Sequence, residues 1–217
     1  LKGKLPSTFT NNGTVTLSTT PSSWSNITGQ TTGNTITIST GAFSMNTMTV
    51  KAAALAITVS NTPSAQSIVA GSQGVLFANY QFDASQSGED VRFSSIPLAY
   101  DGGNNSFAAN PSMLTSCQLF DGTTALNTGS NIVNPASTAT SSTPTLTQTF
   151  TFDQQLVVPK GTVKTLALKC NVASSADSAS QFQWGIGAAP SIAVTGVTSS
   201  NDVTETVTSA NGQVMTA

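Results

Sequence analysis

The sequence contains no histidine. That excludes Ser-His-Asp and Cys-His catalysis, His-liganded zinc and imidazole acid-base work. Charge is nearly as scarce. Asp, Glu, Lys and Arg make up 7% of the 217 residues, with a formal net charge of -2, against about 25% in ordinary soluble domains. The seven Lys and Arg do not cluster, so the basic footprint of a nucleic-acid binder is missing. Long apolar runs are also missing. The longest, Ala52 to Ile57, is far too short to span a bilayer. There is no signal-peptide pattern at Leu1, and a chain starting at Leu reads as a mature or excised fragment. Walker-type and dinucleotide-type glycine loops are absent, and the glycines sit between polar residues as turn markers.

Hydrophobic residues make up 38% of the chain, enough for a core. Disorder couples low hydrophobicity to high net charge, which this composition does not do. With so few charges, Ser, Thr, Asn and Gln must cover the surface. Such a surface packs against copies of itself with little charge to desolvate. The two cysteines, Cys117 and Cys170, are read as a disulfide of an exported protein, because cytosolic chains seldom keep one. The alternative is a pair of buried free thiols.

Helical periodicity is nearly absent. Alternation of apolar and polar residues recurs instead, interrupted by Gly, Pro, Asn and Asp. Leu55, Ile57 and Val59 share a face, as do Leu76, Ala78, Tyr80 and Phe82. Val91 and Phe93 have the opposite parity to Ile96 and Leu98, which predicts a bulge near Ser94-Ser95. Pro97 then suggests an edge, or a place just past the bulge. Leu146, Phe150 and Phe152 alternate with threonines. Leu166, Leu168, Cys170 and Val172 form another apolar row, and Phe182, Trp184 and Ile186 a further one. Asn127 to Pro144 reads as an exposed polar loop. The expectation is an all-β, immunoglobulin-like antiparallel sandwich over residues 54–217, stapled through its core by the disulfide. Residues 1–53 form an extra N-terminal β segment: a small module, or strands added to the sandwich.

An internal echo joins the two parts. Thr35 to Val50 and Thr204 to Thr216 both place β-type threonines before a glycine and then a Met-Thr pair. It reads either as one unit of a tandem array or as coincidence between low-complexity stretches.

Site chemistry is sparse. Most of the acidic residues lie beside Gly or Asn in turns, the ordinary place for Asp, so paired-carboxylate glycosidase chemistry ranks last. Calcium is the more plausible ion, with Asp83, Glu89, Asp90 and Asp101 as candidate ligands, although their spacing is not that of an EF-hand. A solvated polar loop competes with that reading. Asn12, Asn26 and Asn104 open N-x-Ser/Thr sequons permissive for glycosylation. Tyr80 and Trp184 lie in apolar registers and read as core, while Trp24 lies in a loop and is the better candidate for a contact.

Several phrases carry a resemblance: SAQSIVAGSQGVLFANYQFDA from Ser64, SGEDVRFSSIPLAY from Ser87, CQLFDGTTALNTGSNIVNP from Cys117, FTFDQQLVVPKGTVKTLALKCNV from Phe150 and VTGVTSSNDVTETVTSANGQVMT near the end. Over residues 54–217 the chain resembles the repeated Ig-like β domains of large, S-layer-like cell-surface proteins of candidate-phyla bacteria of the parcubacterial kind. The resemblance implies an exported, multi-domain surface protein. It supplies no catalytic motif, and the pair Cys117 and Cys170 fits its cysteine pattern. The expected role is a structural subunit of an extracellular surface layer or appendage, with copies of itself as partners and no enzymatic activity. Exposed strand edges or residues 1–53 would join neighbours. An adhesin or glycan-binding module is the alternative.

Overall fold

The computed structural model describes residues 2–6, 9–101, 109–136, 146–187 and 190–217. Asn104 and the Ser/Thr/Pro tract from Ser137 to Thr145 lie outside them. The chain divides into two compact units, Leu1–Ala52 and Ala53–Ala217.

The first unit holds four short strands: β1 (Thr14–Val15), β2 (Ser18–Thr19), β3 (Phe43–Ser44) and β4 (Met48–Thr49). They pair antiparallel as β1 with β4 and β2 with β3. A 3-10 turn at Pro21–Ser23 and an isolated bridge from Thr28 to Thr35 lie within this hairpin. Among the described residues, Pro21 is the one buried side chain of this unit.

The second unit is the sandwich. Its strands are β5 (Leu55–Val59), β6 (Gln66–Ser67), β7 (Val75–Asp83), β8 (Val91–Asp101), β9 (Leu114–Asp121), β10 (Thr124–Ala125), β11 (Leu146–Val158), β12 (Val163–Val172), β13 (Gln181–Ile186), β14 (Thr195–Gly196), β15 (Glu205–Val207), β16 (Ala210–Asn211) and β17 (Met215–Thr216). One layer runs β10-β9-β12-β7-β5-β15. The other runs β11-β8-β13-β17-β6, with β14 on β8 and β16 on β13. The fold is thus the all-β, immunoglobulin-like sandwich expected, with two parallel contacts: β15 beside β5 and β17 beside β6.

Aromatic rings join the layers. Phe82 of β7 stacks on Phe93 of β8 at 5.1 Å, and Phe77 meets Phe182 edge-on at 6.1 Å. Tyr80 is wholly buried and donates its hydroxyl to the Gly185 carbonyl of the facing layer at 3.3 Å. Burial pushes its phenol above the ordinary range. Trp184 packs edge-on against Tyr100 and Phe150. Each such ring contributes the several kcal/mol that follow from about 25 cal/mol per Å² of apolar surface removed from water.

The parity change in β8 occurs where the sequence placed it. Ser95 pairs with Thr151 and Phe93 with Leu156, so the register shifts at Ser94. Phe93 and Ile96 both become buried as a result. Pro97 faces Thr149 on one side, while β13 reaches only Ala99–Asp101 and β14 only Val91–Arg92 on the other. Its missing N–H therefore disturbs little. A second irregularity was not anticipated. Opposite Leu168 and Lys169 stand Ala78 and Leu76, leaving Phe77 as an extra residue that turns inward.

The disulfide forms, but not between the layers. Cys117 lies on β9 and Cys170 on β12, and these strands are neighbours in one sheet. Both residues are fully buried on the core side. The bridge crosses a register shift between Lys169 and Asn171, beside Ser116 at φ 51°. The expected staple through the core is instead a clamp across a bulge within one layer.

Candidate interaction surface

Of the carboxylates proposed for calcium, Asp83, Glu89 and Asp90 each accept hydrogen bonds from a different backbone segment. Among the described residues, no group of three or more His, Cys, Asp or Glu is placed to hold a metal ion. Asp83 accepts from the Ser85 amide at 2.7 Å, closing a turn after β7. Hydrogen bonds from the Ser85 side chain and amide hold its carboxyl below the usual range. Glu89 accepts from the amides of Thr198 and Ser199 at 2.7 and 2.9 Å. Partial desolvation pulls its carboxyl upward, but the Ser199 and Thr198 hydrogen bonds prevail and lower it. Asp90 accepts from the Lys160 amide at 2.9 Å. Asp101 ends β8 opposite Gln183; its side chain lies outside the description.

Glu89, Asp90, Lys160, Thr198 and Ser199 line an open surface depression of about 400 Å³. Two of its carboxylates are committed to backbone amides, so the arrangement ties three loops together rather than presenting reactive groups.

Asn127 was placed in an exposed loop by the sequence, yet it is completely buried. Its Oδ1 accepts from Leu119 N at 2.8 Å, and its Nδ2 donates to the carbonyls of Cys117 and Asn131 at 3.2 and 3.0 Å. It pins the chain after β10 back over β9. Asp153 holds the outside of the same loop, accepting from Thr128 N, Thr128 Oγ1 and Asn131 Nδ2. These donors lower its carboxyl, Thr128 most. The only sequence signal for the Asn127 pin is the short spacing of turn-forming residues after Asp121-Gly122.

Asn12 and Asn26 are exposed, at φ 63° and 61°, so both sequons are accessible in the first unit. Trp24 is 56% exposed, with Nε1 donating to Thr19 Oγ1 at 3.2 Å. Ile36, Phe43, Met45 and Met48 of the same unit are also about half exposed, at 49%, 48%, 51% and 53%. Among the described residues, most of the exposed large hydrophobic side chains thus belong to this unit. In the sandwich, the long strand β11 forms one end of its layer. Over Leu146–Thr151 it carries no charge and no proline, the usual guards of a free edge.

No helix among the described residues is long and apolar enough to cross a membrane. No family model matches the chain, and no curated protein does. Among solved structures, the seventh ScaB type I cohesin from Pseudobacteroides cellulosolvens is similar at 14% identity, over 76% of this chain and 91% of that one, with a TM-score of 0.32. The sixth cohesin of scaffoldin B from Acetivibrio cellulolyticus, solved in complex with a dockerin, is similar at 14% identity over 75% and 99%, with a TM-score of 0.27.

Proposed function

We propose that this chain is a structural module of an exported bacterial surface layer or appendage, that it works at the cell surface, and that its contacts are with sandwiches of its own kind. The observation that carries the reading is β11, the end strand of its layer among the described residues, where Leu146–Thr151 carries no charge and no proline, on a chain with almost no charge. A neighbour adds there by main-chain pairing at little desolvation cost. The disulfide suits an oxidising compartment. The carboxylates serve as backbone caps, which supports a structural role over an enzymatic one. Negative-stain electron microscopy of the purified chain at rising concentration should show ordered sheets or fibres. Thr149→Lys should abolish them. Dispersed particles throughout would refute self-assembly.

Trp24 supports a second reading, glycan binding. Its exposed ring in the first unit is suited to stacking on a sugar face. A glycan array distinguishes the two: binding lost in Trp24→Ala favours the adhesin, and none favours the structural module.

A further inference from the structure

The described residues of 6–50 repeat those of 173–217 in backbone pairing, at one constant offset. In the first unit Thr14 pairs with Thr49 and Val15 with Met48; in the sandwich Gln181 pairs with Thr216 and Phe182 with Met215. Ser18 and Thr19 face Ser44 and Phe43 as Gly185 and Ile186 face Asn211 and Ala210. The bridge Thr28 to Thr35 recurs as Thr195 to Asp202, an offset of 195 − 28 = 167 positions that every pair above shares. The linking hydrogen bonds follow the same offset. Met45 N donates to Leu17 O at 2.8 Å and Gly212 N to Trp184 O at 2.8 Å; Asn12 N donates to Val50 O and Ala179 N to Ala217 O, both at 2.7 Å.

Local stereochemistry repeats as well. Asn12 and Ala179 are left-handed at φ 63° and 74°, and Gly33 and Ser200 at 69° and 56°. A Cβ on Gly29 would stand 2.7 Å from Thr32 Oγ1, and one on Gly196 2.6 Å from Ser199 Oγ, so a hydroxyl three residues on crowds the same glycine position in both copies. Shared hydrogen bonding of this detail across the described residues of 6–50 is not a coincidence of composition.

What differs is the cover. Phe182, Trp184 and Met215 are fully buried, and Val194 and Val203 nearly so. They pack on the body of the sandwich, where Phe77 meets Phe182 and Tyr100 meets Trp184. Their counterparts Ile36 and Met48 are about half exposed, and Val15, Leu17 and Ile27 half-buried. A two-stranded ribbon with an apolar face does not hold itself together in water.

We propose that residues 6–50 are the closing strands of another sandwich of this kind. Their apolar face docks on that sandwich's body, the equivalent of β5 to β12, lying ahead of it on the same polypeptide. A second copy of this chain does not offer the place, because its own β13 and β17 fill it. A body joined covalently acts at millimolar effective concentration and needs no displacement. That body also carries a carboxylate where Glu89 stands, to cap the amides of Thr31 and Thr32 as Glu89 caps Thr198 and Ser199. The proposal goes beyond the assigned role and is independent of where the protein works.

The test adds a copy of residues 51–167 directly ahead of Leu1, the position that 168 would take. The added copy carries Cys117→Ala, because Gly3 stands in the place of Cys170. The following segment carries Met45→Gly, because a Cβ at Gly212 would already stand 3.4 Å from Val59 and 3.6 Å from Ala78 of the body, which leaves no room for a longer side chain. Dilute peroxide followed by mass spectrometry reads thioether access. In the unmodified chain Met48 should oxidise at least about tenfold faster than Met215 at every concentration, including in any assembled state. In the extended chain Met48 should fall to the rate of Met215, and Leu17→Asp should restore its reactivity. Failure of the added body to fold on residues 6–50, or a folded body with Met48 still reactive, overturns the proposal. So does protection of Met48 in the unmodified chain as concentration rises, since that assigns the face to a second copy.

Discussion

Met48 and Met215 hold the same register position in two copies of one strand pair, opposite Val15 and Phe182, yet one is 53% exposed and the other wholly buried. Their strand pairs match, and Met215 packs in the core of the sandwich. Stability should track that difference. Met215→Ala should destabilise the sandwich by about 3 kcal/mol, the usual cost of truncating a buried methionine. Met48→Ala should change the unfolding of the same chain by less than about 0.5 kcal/mol. Urea unfolding followed by Trp184 fluorescence, with Trp24→Phe as background, compares them.

Reducing the disulfide should lower the stability of the Ala53–Ala217 unit. Cys117 and Cys170 close a loop with a sequence separation of 53, and a closure of that length constrains the unfolded chain by roughly 4 kcal/mol in the entropy model. The double variant Cys117→Ala, Cys170→Ala should show the same fall in denaturant midpoint as reductant does on the parent.

Asn127→Ala should be among the costlier polar substitutions. It removes three hydrogen bonds at a fully buried position and strands the Leu119 amide. A buried donor left unpaired costs about 1–3 kcal/mol. Thr149→Ala, on the exposed face of β11, should lie within about 0.5 kcal/mol of the parent. Paired denaturation curves would show the contrast.

Acid should weaken the sandwich. The carboxyls of Asp83 and Glu89 lie below their ordinary values in the folded state. The unfolded chain then binds more protons as pH falls, so their contribution is full above about pH 4.5 and is lost as pH drops through the folded values. Glu89→Gln should flatten the fall in melting temperature between roughly pH 5 and pH 3. An unchanged slope would remove Glu89 from this role.

The sequence made the core rows readable because burial on one face enforces alternation. Phe150 and Phe152, Leu166 to Val172, and Phe182 to Ile186 followed directly, and the clash of parity between Phe93 and Ile96 located a register shift. Phe77 was not readable, since an inserted residue leaves no mark in an apolar row that continues on both sides. The cysteines could be placed on the core side but not in one sheet, because alternation gives the face of a strand and not its neighbour. Asn127 failed for a related reason: a polar residue is buried when carbonyls and an amide await it, which pairing decides. Glu89 and Asp90, adjacent in sequence, cap different loops in space, which their spacing does not reveal. The repeat was half visible. Met48-Thr49 and Met215-Thr216 matched as letters, whereas the equivalence of Leu17 with Trp184 emerged only from the hydrogen bonds their carbonyls accept.

Amide hydrogen exchange on the intact 217-residue chain addresses the central claim most directly, because the two copies share their internal strand pairs, while among the described residues only the second is also paired to and packed on further strands. Peptides spanning residues 14–19 and 43–49 should exchange at least about a hundredfold faster than those spanning 181–186 and 210–216. Equally slow exchange in both would mean that the first copy is already stably packed, and would contradict the account.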